Sequence, residues 1–594
     1  MPPGRAAVLV LLVLVAGCGG SRGTDGSGGT GRSDTARQAT TARSNAWFID
    51  CAGETGIDFV HVNGMSGKLY MPEILAPGVA LFDYDNDGDL DIYLVQGQPL
   101  EPRPSGADGS LGSRDPQLRD RLYRNDLRVN ADGTRTLHFT DVTAESRIDS
   151  RGYGMGVAAG DYNNDGWVDL YLTKFDASNQ LLRNNGDGTF TDVAKASGTN
   201  ERSWSVSAAF VDIDRDGWLD LYVGNYLRYS LERNNRCFSP AGSPDYCTPA
   251  SYAALPDRLY RNRGDGTFVD ISAASRIASE FGPALGVSTA DFDGDGWMDI
   301  YVANDGKDNQ LWRNRHDGTF ENVALLAGVA LPVGGKAEGS MGVDAGDVDN
   351  DGDEDLVMTE LTTEGSNFYV NDGTGVFNDA SAGSTIGPAS LAFTGFGAGW
   401  LDVDNDGLLD FVAVNGAVQI IEGLRQAHDP FPLHQKKLLM RNTGNRRFED
   451  VTARAGDAFA LSEVGRGVAL GDVDNDGDID ILIGNNNGPT RLLINQATAS
   501  HHWVGLRLIG KKGSGARDML GARAEIVRKG APSLWRRARA DGSYASANDP
   551  RVLVGLGDAR DAVGVRVRWP SGRVEMWTTV PVDRYTTLSE GEAK

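Results

Sequence analysis

The chain has 594 residues, 77 of them glycine and only four cysteine, and carries 82 acidic against 57 basic side chains, a formal charge of −25. So long a chain exceeds one ordinary core, which leaves several domains or a repeat array. The acidic balance excludes nucleic acid as the main partner, because phosphate binding needs a basic footprint, and suits a protein that holds cations.

Residues 1–17 read as a lipoprotein signal peptide. Arg5 supplies a short positive region, and Ala6 to Gly17 is an apolar run too short to span a bilayer as a helix. The run ends Val15-Ala16-Gly17-Cys18, which looks like a bacterial lipobox with Cys18 as the lipidated residue; an ordinary cleaved signal peptide is the alternative. Residues 18–46, rich in Gly, Ser, Thr and Arg, form a flexible tether. Both readings place the protein outside the cytoplasm, lipid-anchored to the envelope on the first. An oxidising compartment makes Cys237 and Cys247 a candidate disulfide in a Pro/Ser/Gly-rich stretch, with two free thiols as the alternative. Cys51 reads as a buried small hydrophobe.

From residue 47 to 500 one unit repeats. Its marker is Asp-x-Asp/Asn-x-Asp-Gly-x-x-Asp, starting at Asp83, Asp161, Asp212, Asp291, Asp347, Asp402 and Asp472. Small and apolar residues precede each copy, as in Gly78-Val79-Ala80-Leu81-Phe82, and a β-rich run follows, as in Asp299-Ile300-Tyr301-Val302. A third run of the type Leu259-Tyr260-Arg261-Asn262, a turn, and a fourth run such as Phe268-Val269-Asp270-Ile271 complete the unit. Four short strands separated by turn residues describe a propeller blade. Glycine stands five places before the motif in six copies and Ser207 in the third, as an inner strand crowded by its neighbours at the axis requires. Fourth strands open at Phe139, Phe190, Phe268, Phe320, Phe377 and Phe448, which makes six; the seventh unit stops after Leu492-Leu493-Ile494-Asn495. The missing strand is predicted at Trp47 to Ala52, so that the first strand closes the last blade and leaves no open edge. The expected fold is all-β: a seven-bladed β-propeller followed by a small β-domain.

The motif with its flanking strands, over about Trp47 to Gln496, is similar to FG-GAP/VCBS repeats, the units of the integrin α-subunit propeller.

Carboxylates at positions 1, 3, 5 and 9 can wrap one hard cation, and the glycine at position 6 permits the sharp turn between them. The first loop offers Asp83, Asp85, Asp87 and Asp91, with Asp89 giving its carbonyl. The second offers Asp161, Asn163, Asp165 and Asp169, and binds more weakly for want of one charge. The remaining ligand sets are Asp212, Asp214, Asp216 and Asp220; Asp291, Asp293, Asp295 and Asp299; Asp347, Asp349, Asp351 and Asp355. Asp402, Asp404, Asp406 and Asp410, then Asp472, Asp474, Asp476 and Asp480, complete the seven. Calcium is favoured over magnesium, which prefers to keep its waters. An EF-hand is rejected: position 12 is Leu94, Leu172, Val223, Val302, Met358, Ala413 or Ile483, none of which ligates. The expected role of up to seven Ca2+ is structural.

Residues 501–594 form a second domain, with Trp503-Val504-Gly505-Leu506-Arg507-Leu508, Gly521-Ala522-Arg523-Ala524, Gly542-Ser543-Tyr544, Val554-Gly555-Leu556-Gly557 and Val567-Arg568-Trp569-Pro570. This set resembles the ASPIC/UnbV module. The module carries 17 basic and 10 acidic residues, residues 47–500 carry 35 and 70. The two therefore dock, or the module reaches for an anionic surface or glycan, or its basic face is merely solvated.

No catalytic constellation is present: the seven histidines sit in no motif and there is no Gly-x-Ser-x-Gly elbow. Long insertions between second and third strands, Gly97 to Asp120, Tyr226 to Asp257 and Asn415 to Lys437, share the face opposite the metal loops. That face, with Trp204 and Tyr153 nearby, is expected to contact a protein or glycan. The alternative implied by the UnbV resemblance is an accessory or catalytic part in an extracytoplasmic or biosynthetic pathway.

Overall fold

A computed structural model describes residues 46–101, 118–497, 501–511 and 517–593. The lipobox with Cys18, the tether and most of the first insertion lie outside these residues. No helix among the described residues is long and apolar enough to cross a membrane.

Seven four-stranded antiparallel sheets follow the repeat. In blade 1 the strands are Val79–Phe82, Asp91–Leu94, Arg121–Asn125 and Phe139–Asp141, and the order from the axis outwards is that of the chain. Blades 2 to 6 repeat this plan. Their inner strands begin at Tyr153, Ser205, Ala284, Val343 and Gly395, and each outer strand opens on the predicted phenylalanine. Blade 7 is built from Gly465–Gly471, Asp480–Asn485 and Arg491–Asn495, and its outer strand is Phe48–Asp50 from the N-terminus. Phe48 stands opposite Asn495, Ile49 opposite Ile494 and Asp50 opposite Leu493. The strand is shorter than the predicted Trp47 to Ala52, but bonds to blade 7 continue one residue beyond each end. The Gln496 amide donates to the Trp47 carbonyl and the Cys51 amide to that of Leu492, while the Trp47 amide donates to the Arg454 carbonyl of blade 6.

Inner strands neighbour one another in cyclic order, the first touching both the second and the seventh. The glycines five places before each motif follow from that contact. A Cβ on Gly342 would fall on the Phe396 carbonyl of the next inner strand, one on Gly286 on Met341, and one on Gly397 on Arg466. Where Ser207 replaces glycine, its hydroxyl donates to the Leu285 carbonyl. Apolar side chains from facing blades fill the spaces between sheets, so the core is a set of inter-blade clusters.

One cluster lies on the axis at the insertion end. It joins Met71, Ile74 and Leu75 of the segment before blade 1 to Tyr226 and Tyr246 of the second insertion and Phe431 and Leu433 of the third. Cys237 and Cys247 are bonded within that second insertion, and Cys247 is buried in the cluster. Cys51 is free and only half-buried. Tyr153 and Trp204 also lie in this cluster, 5% and 3% exposed. That corrects the expectation that they contact a partner. The Tyr153 hydroxyl donates inward to the Asn63 and Pro72 carbonyls, and Trp204 packs edge-on against Phe175 and Tyr226.

The C-terminal module packs a three-stranded sheet, Val552–Gly557, His502–Ile509 and Tyr585–Ser589, against a four-stranded one, Leu534–Arg537, Arg523–Val527, Val563–Arg568 and Val574–Val580. Valine, leucine and alanine from both sheets form its core. Gly542-Ser543-Tyr544 is not a strand; it belongs to a loop between Leu534–Arg537 and Val552–Gly557 that enters the ring.

Candidate metal centres

In every blade the acidic loop is held by the same three bonds. The position-6 amide donates to the position-1 carboxylate, as Gly88 to Asp83 at 3.2 Å and Gly477 to Asp472 at 2.8 Å. The position-9 carboxylate takes one amide on each oxygen. Asp91 accepts from Tyr84 within the loop and from Asn125 at the end of the third strand, and Asp169, Asp220, Asp299, Asp355, Asp410 and Asp480 do the same. Position 9 is therefore a latch tying three strands, with a lone pair on each oxygen left for a cation.

Asp83, Asp85 and Asp91 each bring an oxygen within 4.8 Å of the others, as do Asp212, Asp214 and Asp220, and Asp402, Asp404 and Asp410. Asp291, Asp293 and Asp295, and Asp347, Asp349 and Asp351, form like groups. The decisive observation is what these oxygens lack. Asp83, Asp85, Asp212, Asp214, Asp291, Asp349 and Asp404 each keep a buried Oδ1 without a hydrogen-bond partner. Buried carboxylate oxygens without donors are costly, and several converging in one loop fit a hard cation. In the second loop Asn163 turns its amide to Asp165 at 2.8 Å, in keeping with a poorer donor set.

Burial pushes the Asp83 carboxyl up to about 6, and those of Asp402 and Asp472 up to about 7, against the pull of Arg507, Arg536 and Arg551. Those arginines belong to the C-terminal module. It docks on the metal-loop face, the first of the three alternatives left by its charge. Arg507 lies 3.4 Å from Asp83, Arg517 donates to the Gly217 carbonyl, and Arg523 donates to that of Gly352. Arg536 bridges Asn350 and the Gly407 carbonyl of two successive loops. Arg551 donates to the Asp472 carbonyl and the Asn475 side chain, and the Tyr585 hydroxyl donates to Asp472 Oδ2 at 2.9 Å.

The module also sends its 538–551 loop down the axis. Ala545 and Ala547 donate amides to Ser207 Oγ and the Val79 carbonyl of the inner strands. Tyr544 is fully buried, stands edge-on to Phe396 at 4.9 Å, and donates to the Leu75 carbonyl at the insertion end. Arg539 pairs with buried Asp344 on the way.

The ASPIC and UnbV family matches residues 511–594, and the FG-GAP-like repeat matches residues 161–223, 242–302, 291–358 and 347–413. The chain carries FG-GAP repeats and an ASPIC/UnbV domain. Cartilage acidic protein 1 of Homo sapiens is 24% identical over 531 residues, covering 85% of this chain and 70% of that protein. The Mus musculus protein is 24% identical over 522 residues, covering 85% and 72%. Among solved structures, an Agrocybe aegerita lectin that recognises non-reducing terminal N-acetylglucosamine aligns at 16% identity over 63% of this chain and 79% of the lectin. Its TM-score is 0.35.

Two features of the FG-GAP blades escaped the sequence reading. The asparagine ending each third strand donates its amide backwards to the preceding blade's loop: Asn184 to Tyr84, Asn314 to Ile213, Asn442 to Val348, and Asn125 to Val473 across the junction of first and last blades. Position-4 asparagines donate forwards, Asn86 to Gly166, Asn164 to Gly217, Asn350 to Gly407, Asn405 to Gly477 and Asn475 to Gly88. The third loop has Arg215 there instead, and it reaches the Pro570 carbonyl of the ASPIC/UnbV domain. The third-strand asparagines recur in all seven units, a signal present in the sequence beside the acidic motif.

Proposed function

We propose that the protein is an extracytoplasmic, lipid-anchored, calcium-stabilised platform that binds a protein or glycan through its insertion face. One observation carries the choice of face: the ASPIC/UnbV domain covers the metal loops, while the insertions converge at the other end of the blades. Calcium is the cation that suits the loops, because an all-oxygen set with carbonyls and flexible spacing matches its coordination. The ions would be held by positions 1, 3 and 5 of each loop, with position 9 shared between ion and latch. The anchor would be a lipid on Cys18.

Trimming the insertions is not a clean test, since they bury Tyr226, Tyr246, Phe431 and Leu433 in the axial cluster. The exposed side chains are better targets. Phe238 is 62% exposed beside the disulfide, and His428 stands out from the third insertion. Envelope extract is passed over immobilised wild type and Phe238→Asp/His428→Ala protein in calcium. A component retained by wild type and lost by the variant, at equal melting temperature, supports the reading; equal capture by both overturns it. Turnover of a glycan or small molecule by the calcium-loaded protein would replace it with an enzymatic reading.

A further inference from the structure

A cleft of about 480 Å3 opens on the insertion face beside blades 4 and 5. Its lining mixes apolar side chains, Met71, Ile74, Leu75, Leu361 and Ile421, with three carboxylates, Asp305, Glu338 and Glu364. Among the described residues no lysine or arginine lines the space. Each carboxylate takes its hydrogen bond from a neutral donor, and Lys336 is the basic residue whose charge reaches Glu338. The Tyr226 hydroxyl donates to Asp305 at 2.6 Å, the Asn367 amide to Glu338 at 2.9 Å, and the Gly339 amide to Glu364 at 2.9 Å.

A fourth carboxylate lies behind this lining, beside Glu338. Glu360 is 2% exposed, and its Oε1 accepts from Ser340 and from Asn367, the same side-chain amide that serves Glu338. Its Oε2 is buried with no partner at all. Burial, and then the charges of Glu338 and Glu364, hold the Glu360 carboxyl well above the usual range, and burial lifts Asp305 to about 6. Buried Asp344 is paired with Arg539 of the C-terminal module, whereas among the described residues no ion pair joins Asp305, Glu338, Glu360 or Glu364.

We propose that this cleft receives a lysine or arginine side chain of a partner polypeptide. The identification deepens the platform reading and rests on it. A basic side chain matches both parts of this lining: its methylene stem covers apolar surface while its head takes the carboxylates. A bare metal ion would leave the apolar side chains wet, and a neutral glycan would leave the negative charge uncompensated.

Fluorescence anisotropy tests this with two labelled probes on the intact calcium-loaded protein, a Leu-Lys-Leu-Lys-Leu peptide and a Leu-Glu-Leu-Glu-Leu peptide. The lysine probe should bind at least about tenfold more tightly. Glu338→Gln/Glu364→Gln should weaken it by about tenfold or more, while Asp132→Asn/Asp187→Asn, a charge-matched control on exposed turns, should leave it within about twofold. Equal binding of the two probes, or equal loss in both double variants, overturns the proposal. Envelope capture separates it from the wider reading. If Glu338→Gln/Glu364→Gln protein still captures the component that the Phe238 variant loses, the platform stands and the basic-side-chain site falls.

Discussion

Removing the Tyr544 side chain probes whether the C-terminal domain is seated in the ring. The residue is fully buried on the axis, its ring edge-on to Phe396 and its hydroxyl on the Leu75 carbonyl. Truncating a buried aromatic ring to alanine costs about 3–5 kcal/mol. The lost hydroxyl bond adds about 1 kcal/mol. Tyr544→Ala should therefore destabilise by about 5 kcal/mol, whereas Tyr544→Phe, which keeps the ring, should cost about 1–2 kcal/mol. Urea unfolding in excess calcium, followed by tryptophan fluorescence, measures both. Trypsin supplies a second readout, because Arg537, Arg539 and Arg551 flank the inserted loop and become cleavable if it leaves the axis. A Tyr544→Ala protein within about 1 kcal/mol of wild type, and still uncut, would refute the seated loop.

Three further outcomes follow from the loops and the axis. With chelator present, the position-1 carboxyls, raised by burial to about 6 at Asp83 and about 7 at Asp402 and Asp472, bind protons more tightly folded than unfolded. Apo stability should then fall as pH rises from about 4 to about 7, while in calcium the trend should reverse; parallel melting curves with and without chelator would contradict the loop assignment. Asn163→Asp should tighten the weakest calcium step seen by titration calorimetry, and an unchanged isotherm would remove the second loop from the set. Arg539→Ala should cost about 3–5 kcal/mol by stranding Asp344 in the core, with the loss growing from pH 5 to pH 8 as that carboxyl is forced to ionise. A flat dependence on pH would mean that the pair is solvated.

The blade was legible because its signals are local. Period-two apolar runs, turn glycines and Phe139, Phe190 or Phe268 at the outer strands each act within a few residues. Counting outer strands even placed Phe48–Asp50 in the last blade. What stayed hidden depends on surfaces meeting across the chain. Tyr544 reads as turn chemistry beside Gly542 and Ser543, and nothing local says that its ring reaches Phe396. Arg507, Arg536 and Arg551 show a basic domain, but the spacing that matches them to Asp83, Gly407 and Asp472 exists only after both domains fold. Trp204 and Tyr153 were misplaced for a related reason. Tyr153 opens the inner strand of blade 2 and Trp204 immediately precedes that of blade 3, where the sequence predicts a link between blades, and the converging insertions bury both.

The pairing of Phe48–Asp50 with Arg491–Asn495 also dictates an order of events during synthesis. Phe48–Asp50 is made long before the strand it pairs with. The loop that fills the axis, residues 538–551, comes later still, so Leu75, Met155 and Phe396 lack their axial neighbour until it has been made. Such contacts between the two ends make assembly slow and leave apolar strand faces uncovered while it waits. Ring closure is therefore deferred until Arg491–Asn495 has been made, and filling of the axis until the 538–551 loop has followed.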